Sequence, residues 1–143
     1  MSTRLTIRLD FDFGRRLGAG KIALLEAIDK TGSISAAGRA HAMSYRRAWL
    51  LVDELNQLFA EPLVSAHQGG QRGGGATLTE RGRRIVALYR DAEAKMRTAA
   101  AREIEAIEAE LASEPESSAP DPHRRARGRD VDLTSFSRRD RIA

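Results

Sequence analysis

The sequence predicts a mainly α protein with a small β-hairpin wing: a winged helix-turn-helix followed by a long C-terminal dimerisation helix. Three observations predict it. Residues 32–58, GSISAAGRAHAMSYRRAWLLVDELNQL, read as two short helical patterns around a tight break. Two short apolar arms then flank a loop with five glycines, and an apolar repeat at three- or four-residue spacing runs from Ile85 to Leu111.

Each element has its own signal. Leu5, Ile7, Leu9, Phe11 and Phe13 alternate with polar residues, which predicts a strand with one buried face. Ile22, Leu25 and Ile28 recur at helical spacing over residues 21–31, and Gly32 sits where that helix stops. Ser33 and Ser35 are candidate N-caps for a second helix with a small-residue face at Ala37, Ala40 and Met43. Ser44 caps a third, in which Ala48, Leu51 or Val52, Leu55 and Leu58 face inward until Pro62 forbids continuation. Residues 63–67 and 76–78 form the hairpin arms, and Thr79 caps the long helix.

The long repeat comprises Ile85, Leu88 or Tyr89, Ala92, Met96, Ala100, Ile104, Ile107 and Leu111. Such a narrow stripe needs a partner helix, and Ile85, Leu88, Ala92, Met96 and Ile104 are its expected dimer contacts. The domain reading is therefore 1–78 for the winged helix-turn-helix, 79–111 for the dimerisation helix and 112–143 for a tail. That tail has three of the four prolines and no sustained periodicity, so disorder is expected there, with its HRRARGR run simply solvated.

Composition narrows the function. A chain of 143 residues holds one domain with a tail; its 41% hydrophobic but only 5% aromatic content predicts a core of Leu, Ile, Val and Ala. Lys and Arg outnumber Asp and Glu 24 to 20, and the pI is about 10.1, which favours a polyanionic partner. An arginine-rich codon bias explains the excess equally well. Without cysteine there is no disulfide, thiolate metal site or cysteine nucleophile. No apolar run approaches the roughly 20 residues of a membrane span, and the N-terminus lacks a signal-type apolar block, so a cytoplasmic protein without membrane association is expected.

In a helix-turn-helix the second helix of the pair presents its first turn to base edges in the DNA major groove. On that layout Ser44 and the backbone N–H groups behind it meet a phosphate, and Tyr45, Arg46 and Arg47 lie at the groove. Which arginine reads a base and which holds a phosphate is open. Trp49 is either a core anchor or a backbone contact. Gln71 and Arg72 stand at the wing tip, within reach of phosphate or a minor groove, and Ser33 and Ser35 complete the candidate DNA-binding set. The expected partner is double-stranded DNA, bound by a homodimer.

Enzymatic and nucleotide readings fare worse. His41, His67 and His123 lie in separate segments without metal-ligand spacing or an evident carboxylate partner. Neither glycine-rich stretch supplies the Gly-Lys-Ser/Thr of a phosphate-binding loop. No catalytic residue, metal or cofactor is expected. The alternative of a different class is an interaction module that heterodimerises with a sensor-bearing regulator.

Ser44-Tyr45-Arg46-Arg47-Ala48-Trp49, Leu55-Asn56 and the loop from Gly69 to Gly75 with Leu78-Thr79 closely resemble the N-terminal domain of ModE-type molybdate-responsive regulators, over about residues 5 to 100. GSISAA and the PLV and LT pairs are also similar to LysR-type activators. The resemblance implies a homodimer on a palindromic operator, with residues 33–58 as reader, Gln71 and Arg72 in the wing, and the long helix in the dimer interface. In that family molybdate is sensed by C-terminal oxyanion-binding modules. The 32 residues after Leu111 are too few and too polar for one, and Leu133-Thr134-Ser135-Phe136-Ser137-Arg138 only faintly resembles a T-S-A-R-N oxyanion motif. A chain lacking the molybdate-binding domain is the expectation, with a molybdate- or tungstate-responsive regulator as the further alternative.

Overall fold

The computed structural model describes residues 3–67 and 75–112. Its first strand corrects the alternating pattern. β1 is only Arg8–Asp10, paired antiparallel with β2, Arg16–Gly18, through a 3-10 turn at Asp12–Gly14. Leu5 and Ile7 are half-buried, as the pattern requires, but Leu9 and Phe11 are exposed, and Phe13 is 95% exposed at φ 63°. A two-stranded ribbon is covered only where a helix lies on it. Here the inward place belongs to Leu17 of β2, and the Ile7 carbonyl accepts a hydrogen bond from the Tyr89 hydroxyl.

α1, Ala19–Thr31, buries Ile22, Leu24, Leu25 and Ile28, so it presents a fully apolar face to its neighbours. It ends because Gly32 turns left-handed at φ 70°, where its N–H still reaches the Ile28 carbonyl at 2.8 Å. α2, Ile34–Ala40, starts at once, with the Ser33 hydroxyl accepting from Ala36 N at 3.1 Å. Its small inner face is Ala37 and Gly38. Ala40 is exposed, contrary to the sequence pattern, because the helix ends there and close approach falls one turn-position earlier. A Cβ on Gly38 would lie 3.0 Å from the Ala48 Cβ of the next helix.

The turn between them carries Ala42 at φ 53°, a left-handed residue that is not glycine. α3, Tyr45–Leu58, follows and buries Ala48, Val52 and Leu55, while Leu51 and Leu58 are half-buried. α1 packs against both α2 and α3, and also against β4 and α4.

β3, Val64–His67, and β4, Gly75–Leu78, form the wing's arms, with Val64 opposite Leu78 and His67 opposite Gly75. Val64, Ala76 and Leu78 point into the core. The tip residues, including Gln71 and Arg72, lie outside the described residues, as does the tail from residue 113.

The pattern read as one long helix is two. α4 spans Glu80–Ala99, capped by Thr79 onto Gly82 N, and α5 spans Ala101–Ala109. Ala100, at φ −100° and ψ 14°, separates them, although Ala100 N still reaches Met96 O and Ile104 N reaches Ala100 O, both at 2.9 Å. Alanine is the best helix former, so nothing in the sequence marks this break. Tyr89, not Leu88, turns inward, and Glu93 is buried beside it. Arg90 bonds Glu26 of α1 and Glu93 together, which holds its guanidinium well above its ordinary pKa and ties α4 to α1. The chain divides into two units, Met1–Glu108 and Ala109–Ala143, and the core lies in the first.

Candidate nucleic-acid interface

The N-terminal end of α3 is capped and exposed. Ser44, in extended conformation, accepts from Arg47 N through its hydroxyl at 3.1 Å, and its carbonyl accepts Ala48 N at 3.0 Å. That leaves the Tyr45 and Arg46 N–H groups at the positive end of a 14-residue helix dipole. Tyr45, Arg46 and Arg47 are exposed, and among the described residues neither arginine forms an ion pair. The first acid along the helix is Asp53, and its neighbour Glu54 is paired with Lys21 at 3.3 Å. The first two turns therefore carry uncompensated positive charge.

The two serines of α2 are already engaged. Ser33 is the cap, and the half-buried Ser35 accepts a hydrogen bond from Arg39 at 2.9 Å. Each retains only its hydroxyl proton for an outside acceptor. Arg39, exposed at the end of α2, was not singled out by sequence; its spacing of four from Ser35 on one helix face is the signal that finds it. Trp49 is half-buried against the core, with its ring in edge contact with Tyr45 at a centroid distance of 6.1 Å.

Asn56 connects α3 to the hairpin. Its Oδ1 accepts from Leu63 N at 2.9 Å and Val64 N at 3.0 Å, and its Nδ2 donates to the Val64 carbonyl at 3.2 Å. One side chain thereby fixes where β3 begins relative to α3. Replacement by Asp removes the donor and sets a carboxylate against a carbonyl, so Asn56→Asp is expected to cost about 2 kcal/mol. Urea unfolding at neutral pH checks this; an unchanged midpoint would show the clasp to be dispensable.

The dimerisation candidates divide by exposure. Ile85 packs on the core of its own chain, Ala92 and Ile104 are half-buried, and Leu88 and Met96 are exposed. Among the described residues, no group of three or more His, Asp or Glu side chains is placed to hold a metal ion, and no helix is long and apolar enough to cross a membrane.

A capped helix α3 braced by α2, followed by a clasped two-stranded hairpin and a further helix, defines a winged helix-turn-helix domain. Residues 20–83 match the model of the bacterial regulatory helix-turn-helix protein, lysR family. The chain is 46% identical over 100 residues to the molybdenum transport protein ModE of Azotobacter vinelandii, covering 68% of this chain and 37% of that one. It is 51% identical over 81 residues to the molybdenum-pterin-binding protein MopB of Rhodobacter capsulatus, covering 57% and 30%. The chain thus spans about a third of the length of these relatives. The crystal structure of ArgP from Mycobacterium tuberculosis aligns with 61% of this chain and 30% of its own, at 21% identity and a TM-score of 0.44.

Proposed function

We propose that this chain is a sequence-specific DNA-binding transcriptional regulator of ModE-like type, acting in the cytoplasm as a homodimer on a palindromic operator and catalysing no reaction. The observation that carries the reading is the Ser44-capped end of α3, where Arg46 and Arg47 stand exposed with no ion-pair partner among the described residues. Such an end presents free N–H groups to phosphate and guanidinium forks to base edges. The match of residues 20–83 to a regulatory helix-turn-helix model supports the same reading.

Dimerisation is proposed through the exposed Leu88 and Met96, with Ala92 and Ile104 beside them and Ile85 anchoring the helix to its own core. In this reading Gln71 and Arg72 accompany the reader as wing contacts, while Ser33 and Ser35 lend hydroxyl protons to phosphate.

Selection of bound fragments from the source genome tests both parts. The expected product is a palindrome with half-sites one helical turn, about 34–36 Å, or a multiple apart. Light scattering during size-exclusion chromatography should give twice the 15.7 kDa chain mass. A monomer, or fragments without two-fold symmetry, would count against the dimer; retention of no fragment would count against DNA binding itself.

A further inference from the structure

The reader helix exposes more than its arginines. Leu50 is 54% exposed and Tyr45 61%, on a helix whose other large aliphatic residues are wholly or half buried. With Arg46, Trp49 and Asp53 they border an open depression of about 470 Å³. Trp49 is the half-buried member of this lining, and its indole Nε1 is buried without a hydrogen-bond partner among the described residues. The edge contact between Tyr45 and Trp49 keeps the Tyr45 ring beside the depression.

Spacing relates this apolar surface to the arginines. Arg46 and Leu50 are four residues apart, hence on one helix face and about 6 Å apart along the axis. That is close to two base-pair steps of about 3.4 Å. Asp53 continues the same face, so one stripe runs cation, aliphatic, carboxylate. In the major groove the complementary groups are guanine O6 and N7, the thymine C5-methyl and cytosine N4. An exposed leucine between two charged residues matches the one apolar group in that code.

Resting on the DNA-binding reading above, we infer that Leu50 is a specificity-determining residue that contacts a thymine C5-methyl one or two base pairs from the position occupied by Arg46. Continuity with the charged end of α3 favours duplex DNA as the occupant of this surface. A protein segment seated there would cover Arg46 as well.

The test uses the full chain and the operator obtained by selection, with each thymine replaced in turn by deoxyuridine, which removes only the methyl. Anisotropy titrations at fixed salt should show one position per half-site where the replacement weakens wild-type binding about 3- to 10-fold. Leu50→Ala should weaken binding to the thymine duplex similarly and lose the thymine–uracil difference at that position alone. Its dependence on salt should match wild type, because phosphate contacts are untouched. Equal thymine–uracil ratios for wild type and Leu50→Ala at every position would overturn the inference while leaving DNA binding intact. So would a flat scan with the wild type alone, which needs no variant to fold. Failure to bind any selected duplex would overturn both readings.

Discussion

Replacing Arg46 and Arg47 together by alanine is expected to weaken binding to the selected operator at least about 100-fold. A guanidinium bidentate to guanine discriminates by about 1–3 kcal/mol, and each 1.4 kcal/mol is a factor of ten. Both side chains leave solvent-exposed positions in the first turn of α3 and, among the described residues, break no ion pair, so the variant should unfold at the wild-type temperature. Binding to random-sequence duplex should fall much less. The single variants separate the roles: losing the phosphate-bound arginine should lower the salt slope by about one, whereas losing the base reader should relax preference at one position. Equal loss on operator and random DNA for all three variants would remove base reading from this helix.

The largest expected effect on stability comes from Gly82→Ala. Gly82 lies in the first turn of α4, and a Cβ there would stand 2.2 Å from the Leu63 carbonyl oxygen. That oxygen cannot retreat freely. It accepts from Thr79 N at 2.9 Å, and Leu63 N is held by Asn56 at 2.9 Å. Relief of the clash requires α4 to separate from the start of β3, breaking the Thr79 hydroxyl's bond to Pro62 O and uncovering Leu63, which is fully buried. The cost should exceed about 3 kcal/mol, lowering the melting temperature by more than about 10 °C. Gly20→Ala is the contrast, since a Cβ there meets nothing within 4 Å. It should stabilise by about 0.4–1 kcal/mol. Calorimetry on both variants decides the matter: comparable shifts would mean that helix propensity, and not the close approach to Leu63, governs these positions.

Much of the reader was legible because its signals are local. Gly32 stops α1, Ser33 and Ser44 are caps as their sequence neighbours imply, and Ala48 and Leu55 face inward as the helical period requires. The choice between Leu51 and Val52 needed the structure, since both fit the period and only Val52 is fully buried. Where the sequence left a choice open, the deciding contact was distant. The hydroxyl bond from Tyr89 to Ile7 spans 82 positions, and it selects Tyr89 over Leu88 and marks how much of the N-terminal ribbon is covered. Phe13 shows the limit of alternation, because a left-handed backbone takes it off the strand it was expected to extend. Leu50 falls outside the inward set that the helical period assigns to α3, and the structure leaves it 54% exposed.

The Asn56 clasp limits the changes that the connection from α3 to β3 tolerates. An extra residue inserted within residues 59–62 would carry Leu63 N and Val64 N past their acceptor or slip β3 by one position, turning Val64 outward and Ser65 toward the core. Length variation among descendants of this gene should therefore be purged from the four residues that precede the wing's first arm.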